Sequence, residues 1–358
     1  LLTRGFMSRC QVCGQSSSLI PAVLSVCADC IRQRPAGALP PILHAHGNIR
    51  REFDLPPEAP RTPGGVECPL CSNACRLGEG EIGLCGLRTV HGGRLVHLAG
   101  TPRGALVSWY DDPLPTNCVA DWVCRGSQQR GRVNLAVFYE ACTFNCLFCQ
   151  NWHFRLKRPP GHVSAEELAA QAHRRTWCVC YFGGDPTPQM PHALATSRLL
   201  AERGVTVCWE TNGSMHPHLL DRAVELSLQT GGCMKFDIKA YDENLHRALT
   251  GVSNRRTLEN FRRAAAHIPA RPDPPLVIAS TLLVPGYVEA EEVGRIARFI
   301  AAIDPTIPYA LLGFHPHFFL PDLPRTSVRH AEEAEAAARA AGLTRVRIGN
   351  RHLLSRDY

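Results

Sequence analysis

The chain has 358 residues, 45% of them hydrophobic, enough for one large domain with an ordinary core plus one or two small modules. Its formal charge of +7 is a mild bias that permits an acidic or nucleic-acid partner and requires neither. No apolar run of membrane-spanning length and no clear signal peptide are evident, so no membrane partner is expected. Cysteine is the outlier: 17 in a long chain argue against a small secreted disulfide scaffold. A reducing cytoplasm, with thiolates used for metals, is the expected setting.

In chain order, residues 1–34 carry Cys10, Cys13, Cys27 and Cys30 as C-x2-C-x13-C-x2-C. Paired knuckles of this kind read as a zinc-ribbon-like module, in which the metal supplies folding energy that so small a unit lacks. Residues 35–65 are proline-rich and are expected to form a linker or irregular wrap. Residues 66–130 form a Cys-rich accessory segment with Cys68, Cys71, Cys75 and Cys85 as C-x2-C-x3-C-x9-C, followed by a short hairpin at GGRLVHLAG. Zinc and an auxiliary [4Fe–4S] cluster both fit this second spacing, and zinc is the favoured reading.

From 131 to 358 the pattern alternates. Strands are predicted at 133–140, 177–182, 205–210, 233–238, 276–284 and 309–314, with a last short one at 346–348. Helices are predicted at 164–175, 191–204, 217–232, 254–268, 289–303 and 327–342, the first with a capping box of Ser164 and Glu167. Continuous apolar strands separated by amphipathic helices indicate an α/β fold with a parallel sheet covered on both faces. Six such units suggest a partial (β/α)6 barrel, with functional groups at the C-terminal ends of the strands. Cys178, Cys180, Cys208 and Cys233 lie in the strand-like runs and read as small buried hydrophobes.

Just after the first of these strands, EACTFNCLFCQN places Cys142, Cys146 and Cys149 as C-x3-C-x2-C. Three thiolates can hold three irons of a [4Fe–4S] cube and leave the fourth open, and an open metal position marks a reactive site rather than a structural one. The competing reading is a zinc knuckle with His153 as fourth ligand.

ACTFNCLFCQNW resembles the cluster loop of the radical S-adenosylmethionine (SAM) superfamily. The resemblance implies a [4Fe–4S] cluster on Cys142, Cys146 and Cys149, SAM on the open iron, and reductive cleavage to methionine and a 5′-deoxyadenosyl radical. It sets Phe148 against the adenine. FGGDPTP resembles the family's Gly-Gly-Glu motif, with Gly183, Gly184 and Asp185 toward the SAM amino group and Asp in place of Glu. CWETNG resembles the ribose-binding strand end of the pyruvate formate-lyase activating enzyme group, with Glu210 and Thr211 where that group has an Asp-containing pattern. FDIKAYDENLHRALTG resembles its Asp-x-Lys and His-x-x-x-Thr-Gly pattern, which sets Lys239 toward the SAM carboxylate and Asp237 to orient it. In LGFHPHF, His315 matches a His near the ribose. The lead-in CPLCSNACRLGEGEIGLCGLR resembles activase-like radical SAM proteins of the AmmeMemoRadiSam type.

Two function classes follow. The first is an enzyme that abstracts hydrogen from a protein or peptide substrate, as in glycyl-radical activation, using a reductant such as flavodoxin or ferredoxin; RNA or a small molecule are alternative substrates. The second is a binding module that contacts nucleic acid or a protein through its four-cysteine segments. No aromatic RNA platform or dense basic stripe supports the second reading, which also leaves the open three-thiol loop unexplained.

Overall fold

The computed structural model describes residues 7–116, 118–156 and 161–356. Its centre is an eight-stranded sheet: β1 (Val107–Pro113), β2 (Val133–Tyr139), β3 (Thr176–Gly183), β4 (Thr206–Thr211), β5 (Met234–Asp237), β6 (Val277–Leu283), β7 (Tyr309–Gly313) and β8 (Val346–Ile348). The strands lie side by side in chain order. β2 to β8 are all parallel, and β1 pairs antiparallel with β2 as the edge. This is the expected α/β partial barrel. Every residue of β6 is buried, as a strand covered on both faces requires.

Helices Met190–Glu202, Pro217–Thr230, Arg255–Ala265, Ala290–Ala301 and Val328–Ala340 cover the strands. Their buried residues recur at helical spacing, as in Ala290–Ala301, where Val293, Ile296, Ala297 and Ile300 face inward. The capping box of Ser164 and Glu167 is present, but its helix is short, Ala165–Ala169 rather than 164–175. His173 stops it. Its N–H donates to Thr176 Oγ1 and its ring meets Asp111 of β1 at 2.8 Å, which turns the chain into β3.

The proline-rich span 35–65 departs from the expected linker. Pro35–Arg51 is a 17-residue helix. Pro35 sits at its first position, where no donor is needed. Pro40 and Pro41 would have donated to Ala36 and Gly37, whose residues are exposed, so water can serve those carbonyls. The buried residues Ala38, Ile42, Ala45 and Ile49 follow a helical stripe, and this stripe outweighs the proline content.

The boundary at 131 also shifts. β1 belongs to the barrel sheet although it lies within 66–130, where its two Asp and its closing Pro masked it. The Cys10–Cys30 module and helix Pro35–Arg51 share one core with the barrel. Tyr287 Oη donates to Val26 O at 2.7 Å, and Arg32 pairs with buried Glu292 at 3.4 Å. The hairpin near 92–100 is formed by Arg88–His91 and Arg94–His97 around Gly92 and Gly93. No helix of the described residues is long and apolar enough to cross a membrane.

Candidate active site at the strand ends

The three-cysteine loop leaves β2 at its C-terminal end and is clamped on several sides. Asn145 N and Leu147 N donate to Thr250 O (2.8 Å) and Leu249 O (3.0 Å). Those carbonyls end the helix Glu243–Thr250, which carries the His-x-x-x-Thr-Gly residues. Thr250 Oγ1 donates to His246 O at 2.8 Å, the His246 ring meets Val252 O at 2.8 Å, and Gly251 caps the helix at φ +78°. The motif therefore builds a shelf under the loop; the His246 ring also meets Phe144 edge-on at 5.3 Å.

A second clamp comes from the helix mistaken for a linker. His46 bridges the Asn145 amide (2.9 Å) and Ala248 O (2.9 Å), while Arg155 donates to Asn145 Oδ1 at 2.7 Å. The buried Asn145 side chain thus has both ends satisfied. Burial pushes the pKa of His46 and of His246 down to about 4, so both rings are neutral at ordinary pH. Asn73 Nδ2, Asn212 Nδ2 and Ser214 Oγ pin Thr143 at 2.7–2.8 Å.

Cys142, Cys146 and Cys149 open on one cavity of about 930 Å³, including the space at its mouth. Phe148, Gly184, Asp185, Glu210, Thr211, Asp237 and Lys239 line it with them. Burial pushes all three thiols up, Cys146 to about 12 against the pull of Lys239. A metal that binds them must displace their protons. Lys239 and Asp237 form a close ion pair, and Lys239 Nζ lies 5.3 Å from the Phe148 ring centre. Burial lowers the Lys239 pKa, but Asp237 and Cys146 more than offset this, so the ammonium stays charged.

Gly184 has φ +59°, and a Cβ there would lie 2.0 Å from Tyr139 O. A Cβ on Gly183 would strike the Phe138 ring, and Gly183 itself does not line the cavity. Asp185 is buried and accepts from Thr187 N (2.8 Å), Thr211 Oγ1 (3.0 Å) and Asn212 N (2.8 Å). It ties β3 to the end of β4, and burial pushes its pKa up against these hydrogen bonds. His315 lies apart: it is exposed, its Nδ1 meets Pro316 O at 2.9 Å, and Leu312 lines the cavity on that strand instead.

Residues 136–300 match the Radical SAM superfamily. The barrel holds a radical SAM domain.

The chain is also similar to several curated proteins. The chain is 34% identical over 134 residues to the isethionate sulfite-lyase activating enzyme of Oleidesulfovibrio alaskensis, covering 37% of this chain and 40% of the relative. It is 24% identical over 196 residues to the pyruvate formate-lyase 1-activating enzyme of Escherichia coli K12, covering 51% of this chain and 76% of the relative. An uncharacterized protein of Methanocaldococcus jannaschii is 26% identical over 294 residues, covering 80% of this chain and 81% of the relative. The chain thus spans well under half the length of the first of these relatives.

Within the radical SAM domain, the residues suit a three-thiol cluster with an open position. Among the described residues, the one set of ligand atoms lying all within 4.8 Å of one another is Cys10, Cys13, Cys27 and Cys30. The 142–149 loop is wider than that, and His153, the fourth ligand of the zinc reading, stacks on Trp152 at 4.2 Å. Asp237 Oδ1, in the cavity wall, is buried with no hydrogen-bond partner among the described residues. An acceptor left in this state invites a donor from a bound group.

Sequence reasoning missed Lys235. Its Nζ is buried beside Glu210 (3.3 Å), Cys180 (3.0 Å) and Cys118 (3.1 Å). Glu210 faces it across the β4–β5 register. The strand cysteines are buried as expected, but they surround a cation rather than a purely apolar core. The signal was present as an isolated Lys in the apolar run CMKFDI.

Proposed function

We propose that the chain is a radical SAM enzyme that cleaves SAM at a [4Fe–4S] cluster held by Cys142, Cys146 and Cys149 and abstracts hydrogen from a protein or peptide. The observation that carries the reading is a three-thiol loop opening on the cavity that holds the Asp237–Lys239 pair. The cluster with SAM supplies an electron and the carbon radical; the protein binds, orients and excludes water.

Lys239 is the cation suited to the SAM carboxylate, with Asp237 fixing it and offering its unpartnered oxygen as an acceptor. Phe148 offers an aromatic face to the adenine. The backbone carbonyl of Gly184, which lines the cavity, serves the amino group, because the Asp185 carboxylate is already engaged by three donors. Glu210 and Thr211 stand on the ribose side, with Lys235 holding Glu210. His315 is a weaker ribose contact, reaching the cofactor only if its exposed loop folds inward.

The names of the activating-enzyme relatives support a protein substrate; a reductant such as flavodoxin or ferredoxin and a reducing compartment such as the cytoplasm belong to the same proposal. Zinc is the metal proposed for Cys10, Cys13, Cys27 and Cys30, whose convergence suits one tetrahedral ion.

The test is anaerobic. Protein reconstituted with iron and sulfide, given SAM and dithionite, should release 5′-deoxyadenosine, and Cys146→Ala should release none. Equal release by that variant contradicts the assignment.

A further inference from the structure

A second chamber, of about 60 Å³, adjoins the candidate active site: Phe182 and Glu210 line both. Six cysteines line it, Cys118 and Cys180 among them, together with Lys235. Strand geometry gathers them. Cys178 and Cys180 on β3, Cys208 and Glu210 on β4, and Cys233 and Lys235 at the start of β5 each stand two positions apart and so share one face of the sheet. The chamber is not sealed. Asp112, Thr116 and Cys118 in its wall are half-buried, and its volume admits a diatomic gas.

Lys235 is 2% exposed, and its amine is held between two thiols. Nζ stands 3.0 Å from Cys180 Sγ and 3.1 Å from Cys118 Sγ, with Glu210 at 3.3 Å. Other nitrogens that donate to sulfur in this protein stand at 3.2–3.7 Å, as Gly126 N does on Cys124 and Asn212 Nδ2 on Cys142. Both lysine contacts are shorter than these. Charge balance at a buried ammonium needs Glu210 alone. It does not call for two thiols on the same nitrogen, brought there from the loop after β1 and from β3.

We propose that Lys235 is an oxidative modification site, at which dioxygen joins Nζ to a flanking thiol, Cys180 or Cys118, through a single oxygen atom. Lys235 first passes its ammonium proton to Glu210, which lies within reach. One S–H and one N–H bond then break, and one S–O and one N–O bond form. Dioxygen is reduced, taking two electrons from sulfur and two from nitrogen. One of its atoms becomes the bridge, and the other leaves as water with the two hydrogens. A one-atom bridge spans the present gaps of 3.0 and 3.1 Å with little movement, whereas a direct S–N bond would have to close them. The bridged nitrogen is a weak base and carries no charge, so Glu210 loses its cation. Exposure to oxygen is thereby coupled to the charge on the ribose side of the cavity. That consequence rests on the role proposed above for Glu210; the bridge itself does not.

The test is peptide mapping by mass spectrometry. The full chain is purified without oxygen and divided, one half is exposed to air, and both are alkylated under denaturing conditions and digested with trypsin. The air-exposed half should yield a peptide pair joining Lys235 to Cys180 or Cys118. It should be heavier than the two free peptides by about 14 Da, one oxygen gained and two hydrogens lost, and uncut after Lys235. The anaerobic half should show both thiols alkylated and cleavage after Lys235. Cys118→Ser/Cys180→Ser should keep that cleavage after air. Air that joins Cys208 to Cys233, whose sulfurs lie 3.9 Å apart, or Cys118 to Cys180, while Lys235 stays free, overturns the proposal and leaves the SAM reading standing. The bridge found in a chain that releases no 5′-deoxyadenosine supports this proposal and sinks the other. Should the double variant fail to fold, the wild-type pair, present after air and absent before it, decides alone.

Discussion

The Cys10–Cys30 knuckles and the Cys142–Cys149 loop use the same ligand atom to opposite ends. The first brings four thiols within 4.8 Å on a module sealed against the barrel by Ile20, Leu24, Val26 and Ile31. The second presents three thiols to a cavity and spends its hydrogen bonds on clamping the loop from behind, through His46, Asn145 and the end of helix Glu243–Thr250. A closed set can stabilise a fold but has no position left for a reactant, whereas an open set needs outside support because its own metal cannot complete it.

Substitution should separate the two regions most sharply at the ligands. Cys13→Ala should lower the melting temperature and release zinc while the 5′-deoxyadenosine yield per folded molecule stays unchanged; loss of that yield would place the knuckles in the reaction. Ile42→Ala, under the knuckles on helix Pro35–Arg51, should cost about 3 kcal/mol in denaturant unfolding. A change near zero would mean that this span does not pack as a helix.

Asn145→Ala probes the open loop instead. It strips partners from His46 and Arg155 and should cost about 1–3 kcal/mol, with iron retained less well on gel filtration. A smaller effect concerns pH. His46 and His246 have native pKa values near 4, below the ordinary value near 6.5, so the unfolded chain binds protons first. Stability should therefore fall as pH drops from about 6.5 toward 4, and His46→Gln should flatten part of that slope. An unchanged slope would show that His46 is not buried neutral.

Much of the barrel was legible because continuous apolar strands and amphipathic helices leave strong periodic signals. VRI at 346–348 and the ends of β2 to β7 fell within a residue or two of expectation. The misses have physical causes. At Pro35–Arg51, proline content hid a helical stripe, and the carbonyls that Pro40 and Pro41 leave unpaired belong to exposed residues. At Val107–Pro113, an edge strand with only one fully buried residue and an Asp-Asp-Pro end looked like accessory sequence. Of the site, the residues matching motifs at strand ends came together, except Gly183 and His315. What could not be read was support from afar: His46 reaches Asn145 across 99 positions, and Lys235 meets Cys118 across 117. Spacing along a chain carries no trace of such pairs.

The central claim is an iron at the 142–149 loop that no side chain ligates. Electron paramagnetic resonance spectroscopy of the dithionite-reduced protein, with Cys71→Ser removing any signal from the accessory cysteines, tests it most directly. Addition of SAM should shift the g-values of the remaining cluster, as a new ligand on the open iron requires. A spectrum that SAM leaves unchanged, or a loop that holds only zinc, would contradict the account.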